Sequence, residues 1–158
     1  MTTTKQAATE FLGHQRIAVT GVSHAPKGHG SNTVYTWMRT HGYEVFAVNP
    51  SVEEVEGDRA YPSLGAIPGG VEAVVIATAP EHAQATMEEA ADLGIDTVWM
   101  HRSVGKGSVS PPATAWGREH GITVIDGGCP IMFHPEGDRG HHVMCRLFTW
   151  TGRVPRTV

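Results

Sequence analysis

Short, nearly continuous apolar runs alternate along the chain with segments whose apolar residues recur at helical spacing. The runs are Arg16 to Val22, Glu44 to Val48, Val71 to Ala77, Asp96 to Met100 and Ile122 to Ile125. They are short, β-branched and apolar at most successive positions, the pattern of strands covered on both faces. Between them, Thr33 to Thr40 carries Val34, Trp37 and Met38 on one face. Pro80 suits a first helical position ahead of His82 to Leu93, which stops at Gly94. Pro111-Pro112 opens a further helix to Glu119, ending near Gly121. Thr4 to Gly13 reads as a short capping helix and Gly140 to Trp150 as a tail helix. Arg59 to Tyr61 reads as a short strand, Ser51 to Asp58 as a polar loop, and Ser63 to Ile67 as a brief helical turn before Pro68-Gly69-Gly70. The alternation predicts an α/β fold, a Rossmann-like doubly wound parallel sheet of five or six strands with a C-terminal tail helix. One domain is expected over 1–158, with 14–126 as its core and 127–158 as a tail.

In such a sheet, ligands bind beyond the carboxyl ends of the strands, where the strand order reverses. The informative positions are therefore the strand exits. The first strand runs into Gly21-Val22-Ser23-His24-Ala25-Pro26-Lys27-Gly28-His29-Gly30-Ser31-Asn32. Glycines here permit a tight exit and close backbone approach, Lys27 adds a positive charge, and Ser31 is placed as N-cap of a helix from Asn32. A helix start after a parallel strand offers free N–H groups to phosphate. The same residues also suit an ordinary turn. The spacing is not G-x-G-x-x-G, and the second strand ends Val48-Asn49-Pro50 rather than on the acid that holds a nicotinamide cofactor's ribose. Asn49 can hydrogen-bond without charge, and Pro50 offers a rigid apolar surface for an adenine ring.

Composition narrows the classes. Of 158 residues, 40% are hydrophobic and 18% charged, a globular balance. The net charge of −4 counts against a general nucleic-acid partner. No apolar run reaches the length of a membrane span, and the N-terminus lacks the apolar core of a signal peptide. With only Cys129 and Cys145, the expected location is cytoplasmic with reduced thiols.

Several segments together resemble the CoA-binding-domain family of small stand-alone Rossmann-like proteins, related to the CoA-binding domain of the succinyl-CoA synthetase α subunit. They are Ile17 to Ser23, Gly42 to Pro50 with its V-N-P ending, Gly57 to Leu64 with Tyr61-Pro62-Ser63-Leu64, Val98-Trp99-Met100, and Gly127 to Phe133. The resemblance spans roughly residues 10 to 150. It implies coenzyme A or an acyl-CoA as ligand. Gly21, Ser23 and Lys27 would lie at the phosphates, Asn49 and Pro50 at the adenosine, and Thr78, Ala79 and Pro80 along the pantetheine; Val22, Ser31 and Asn32 on the first loop are further cofactor-binding candidates. The family often carries Gln and Gly after the tryptophan strand, where this chain has His101-Arg102-Ser103; Arg102 is an added cation that can assist phosphate.

For chemistry, Cys129 lies at the last strand exit, where a thiol could meet CoA, but no neighbouring base is evident. His134, His141, His142 and Cys145 concentrate ligand types in the tail without a C-x-x-C pair, so no metal is expected. Lacking a complete catalytic set, the chain is expected to be a non-catalytic or regulatory CoA-binding protein. The alternatives are an enzyme handling CoA thioesters through Cys129 and an NAD(P)-linked oxidoreductase. The apolar tail helix, with Val143, Leu147 and Phe148, packs the tail or admits a homodimer.

Overall fold

The computed structural model describes residues 1–25 and 29–158. In chain order its elements are α1 (Thr4–Leu12), β1 (Arg16–Thr20), α2 (Gly30–Thr40), β2 (Glu44–Val48), β3 (Glu54–Val55), β4 (Asp58–Tyr61), β5 (Ala73–Ile76), α3 (Ala83–Asp92), β6 (Thr97–Met100), α4 (Pro111–Glu119), β7 (Thr123–Asp126) and α5 (Arg139–Trp150). Among the described residues the strands form one seven-stranded sheet in the order β3-β4-β2-β1-β5-β6-β7. All neighbours are parallel except β3 and β4. The chain builds outward from β1 through β2 to β4, then returns to lay β5 on the other side of β1. The order therefore reverses between β1 and β5, and the clefts open there.

Side-chain alternation divides the core into two layers. Ile17, Val19, Ala47, Ala73, Val75, Trp99 and Ile125 face α1, α2 and the C-terminal segment, meeting Phe11, Val34, Tyr35, Met38, Ile131 and Phe148. Ala18, Val48, Val74, Ile76, Val98, Met100 and Val124 face α3 and α4, meeting Met87, Ala90 and Ala113. β5 is buried at every position, as a central strand of a doubly covered sheet must be. Trp99 also donates its indole N–H to the Gly127 carbonyl at 2.9 Å, so a fully buried aromatic leaves no polar atom unpaired.

Helix ends follow local chemistry. α1 opens on a capping box between Thr3 and Gln6, and α4 on Ser110 with prolines in its first turn. At the end of α2, Gly42 takes a φ of +86° and Tyr43 N–H reaches back to the Met38 carbonyl at 3.2 Å, the six-to-one bond of a glycine stop.

Four expectations change. Ser31 is not an N-cap: α2 starts one residue earlier than Ser31, at Gly30, behind His29, and the Ser31 hydroxyl instead donates to Gly21 O at 2.9 Å. The 51–58 stretch is not wholly loop, because β3 pairs antiparallel with β4 across Glu56-Gly57, giving a seventh strand. Both turn residues have positive φ, +51° and +79°, which is the two-residue hairpin turn that matches strand twist. The non-glycine Glu56 is held there by Arg39 Nη1, which donates to its carbonyl at 2.8 Å. Ser63 to Ile67 forms bends and turns without a helix; Leu64 and Ile67 plug the core while Gly65 and Pro68-Gly69 break any regular spacing. The 80–93 segment begins as a 3₁₀ turn, Pro80–His82, before α3. In the tail, Phe148 is buried, whereas Val143 and Leu147 are 65% and 48% exposed, so only Phe148 packs the tail inward.

Candidate functional site

The β1 exit is fixed before any ligand arrives. Gly21 has a φ of +74°, and a Cβ there would lie 2.7 Å from Ala77 O and 2.9 Å from Ala77 C. Only glycine lets the exits of β1 and β5 approach this closely. The Thr20 hydroxyl accepts from Ala77 N–H at 3.1 Å, tying the two exits together. Three amide or hydroxyl side chains then clamp the loop. Ser31 bonds Gly21 O. Asn32, 3% exposed, accepts from Ser23 N–H at 2.9 Å and donates to Ser23 O at 2.8 Å and to Glu56 Oε1 at 2.7 Å. Asn49 donates to Val22 O at 2.9 Å and accepts from Ser51 N–H at 2.9 Å.

The candidate residues thus divide by task. Asn32, Asn49 and Ser31 converge on one loop, but their side chains position its backbone. The Val22 side chain is fully buried in the core, leaving only its backbone to the loop. Ser23 uses its hydroxyl to accept from Ala25 N–H at 3.1 Å. Lys27 lies outside the described residues.

Two clefts open along the carboxyl edge and share Thr78. The first, about 560 Å³, is lined by His29, Gly30, Ser31, Thr78, Ala79 and His101 among others. The second, about 360 Å³, includes Gly21, Asn49, Pro50, Pro62, Leu64 and His82. The apolar surface of Pro50 and Pro62 suits a flat ring. The Thr78 hydroxyl between them is buried with no partner among the described residues. A buried hydroxyl normally has one, so Thr78, which lines both clefts, has an uncommitted hydroxyl that a side-chain rotation would bring to a ligand crossing them. Pro80 opens the 3₁₀ turn just beyond Ala79 and lines neither cleft. The carboxylates nearby are engaged: Glu56 by Asn32, and Glu89 by Gly65 N–H at 3.0 Å.

The exit of β6 brings His101 to the first cleft and turns Arg102 aside. Arg102 N–H donates to Gly128 O at 2.8 Å, joining the β6 and β7 exits, and its buried Nε finds no acceptor among the described residues. Arg102 does not line either cleft. His101 is 8% exposed; burial first, with His141 adding to it, pushes its pKa down to about 4, so the ring is neutral at pH 7. Sequence reasoning placed this residue at a strand exit and noted it as a departure from a family pattern, without giving it a role. Its place immediately after a central parallel strand was the signal that could have found it.

Cys129 is 3% exposed, and burial pushes its thiol up to about 12. A protonated, enclosed thiol is a poor nucleophile, so the geometry does not support thioester chemistry through Cys129. The tail residues His134, His142 and Cys145 line a separate cavity of about 550 Å³ between α1 and α5. Among the described residues, no group of three or more His, Cys, Asp or Glu side chains is placed to hold a metal ion. No helix of the described residues is long and apolar enough to cross a membrane.

Comparison with known proteins agrees with this arrangement. The chain is 32% identical over 120 residues to the uncharacterized protein YneT of Bacillus subtilis, covering 76% of this chain and 85% of YneT. It is 33% identical over 88 residues to the α subunit of the ADP-forming acetate–CoA ligase II of Pyrococcus furiosus, covering 56% of this chain but 19% of that subunit. A solved structure of a hypothetical protein from Pyrococcus horikoshii superposes with a TM-score of 0.75 at 27% identity, covering 85% of this chain and 91% of the other. The family model described as CoA binding domain matches residues 15–135, the segment that holds the whole sheet and both clefts, and the chain belongs to that family.

Proposed function

We propose that this protein binds coenzyme A or an acyl-CoA across the two clefts at the β1/β5 reversal, as a cytoplasmic, non-catalytic or regulatory binding protein. The observation that carries the reading is the pair of clefts meeting at the unpartnered Thr78 hydroxyl, beside a β1 loop clamped by Ser31, Asn32 and Asn49. The second cleft takes the adenine against Pro50 and Pro62. The N–H groups at the start of α2 take phosphate. The first cleft, past Thr78 and Ala79, takes the pantetheine. The amide of Asn49 brings no negative charge to the adenosine end, which leaves room for a ribose phosphate.

A thermal-shift series with CoA, acetyl-CoA, NAD and NADP at equal concentration tests this. A ligand at about 100 times its Kd adds about 2.7 kcal/mol, or roughly 5–10 °C in a domain of this size. A shift with CoA or acetyl-CoA but not with NAD supports the reading. A shift with NAD alone overturns it in favour of the oxidoreductase alternative. The finer expectation of a homodimer rests on α5, where Val143, Leu147 and Trp150 expose one apolar face. Light scattering with and without CoA decides it by a monomer or dimer mass.

A further inference from the structure

We infer that His101 reads the ligand directly, its imidazole hydrogen-bonding a phosphoryl oxygen seated on the first turn of α2 and taking up a proton as that group binds. The inference rests on the CoA reading and deepens it. Two independent features meet at one place. The first is the start of the eleven-residue helix α2, where the N–H groups of Gly30, Ser31 and Asn32 have no acceptor among the described residues. The second is the His101 ring. A Cβ on Gly30 would lie 3.0 Å from His101 Cε1 and 3.8 Å from each ring nitrogen. The ring therefore turns the edge between its two nitrogens toward the first helical residue.

The backbone of His101 is pinned on both sides, its N–H donating to Ile76 O at 2.9 Å and its carbonyl accepting from Ser108 N–H at 2.8 Å. Its ring nitrogens have no hydrogen-bond partner among the described residues, although the side chain is more than nine-tenths buried. What surface the residue keeps lies on the cleft it lines, where a ligand can reach the ring. Here it faces a cleft already furnished with helix N–H donors and the unpartnered Thr78 hydroxyl.

The proton follows from charge. In the free protein burial keeps the imidazole neutral, and the groups around it do not oppose that. His29 lines the same cleft from the start of α2. His141 approaches from α5, where Asp138 engages its Nδ1 at 2.6 Å. Arg102 follows on the same loop and turns toward Gly128. None of these is an anion presented to the ring. A phosphoryl oxygen would be one, and an opposite charge within hydrogen-bond reach favours the protonated form. One proton then moves from solvent to the imidazole for each ligand bound, and no bond to phosphorus changes.

The test is calorimetric titration of the full chain with CoA from about pH 8 to about pH 6, in buffers of different ionisation enthalpy, for the wild type and His101→Gln. Glutamine keeps a hydrogen-bonding head but cannot take the proton. The expected result is CoA affinity that rises toward low pH with net proton uptake in the wild type. In His101→Gln, affinity falls by about tenfold and that uptake is lost. Titrating with 3′-dephospho-CoA assigns the contact: retention of the His101 effect places it on the diphosphate, and its loss places it on the 3′-phosphate. Should the variant fail to fold, the His101 ring-proton NMR signal of the wild type serves instead, its titration midpoint moving up by about three units with CoA, which is what uptake of a whole proton near neutral pH requires. CoA binding with equal affinity and equal pH slope in both proteins, or an unmoved midpoint, overturns this inference and leaves the CoA reading standing. No CoA binding by the wild type overturns both.

Discussion

Replacing Gly21 by alanine separates backbone conformation from close approach at the site. The φ of +74° alone costs an L-residue about 1 kcal/mol. The added Cβ would also sit 2.7 Å from Ala77 O, 2.9 Å from Ala77 C and 3.0 Å from Thr78 N. All three are backbone atoms of the β5 exit, so no side chain can swing away. Relief requires the β1 and β5 exits to part, which stretches the 3.1 Å bond from Ala77 N–H to the Thr20 hydroxyl, worth about 1 kcal/mol. Gly21→Ala is therefore expected to lose about 2–3 kcal/mol, or roughly 5–10 °C in Tm. Gly42→Ala is the internal control, because Gly42 has a φ of +86° with nothing among the described residues within 4 Å of a Cβ. It should lose only the conformational part, about 1 kcal/mol. Urea unfolding of both variants measures the difference, and CoA titration of both reads the site. Gly21→Ala should bind CoA weakly while Gly42→Ala binds normally. Equal destabilisation of the two variants, with equal CoA affinity, would refute the claim that the close approach shapes the site.

Three further outcomes follow. Asn32→Ala removes the side-chain hydrogen bonds to Ser23 and Glu56 from a buried position and should destabilise the protein by about 2–4 kcal/mol, with faster amide exchange at Ser23; exchange unchanged at Ser23 would count against the clamp. Cys129 should resist alkylation in the native protein at mildly alkaline pH and react on unfolding, whereas labelling at the rate of a free exposed thiol would reopen the thioester reading. Because the folded pKa of His101 lies near 4, below the ordinary histidine value, the unfolded chain binds more protons between the two. This contribution to stability is present above about pH 6.5 and is lost as pH falls toward 4, by up to about 3 kcal/mol. His101→Gln should flatten that part of the stability profile, and an unaltered slope would show the ring is not held neutral by the fold.

What the sequence determined by itself was the layering and its class. Continuous apolar runs alternating with helical periodicity require a parallel sheet covered twice, and the strand exits are then the ligand edge whatever the details. The family was legible in local motifs, notably Val48-Asn49-Pro50 and Tyr61-Pro62-Ser63-Leu64. Tertiary structure decided how the individual side chains are used. Asn32 and Asn49 were legible as polar residues near a ligand, yet their amides are spent on backbone groups 9 and 27 positions away. Nothing in the neighbouring sequence encodes that choice of partner. β3 is two residues long and gains its strand character only from β4. Cys129 and His101 both follow strand exits, three residues past β7 and one past β6, and packing gives them different surroundings: the thiol is enclosed in the core beside Ile131 and Met132, while the imidazole lies against the first turn of α2 at the cleft. Periodicity is a local property and survives in the sequence; hydrogen-bond partnership and desolvation depend on residues far along the chain, and only folding brings them together.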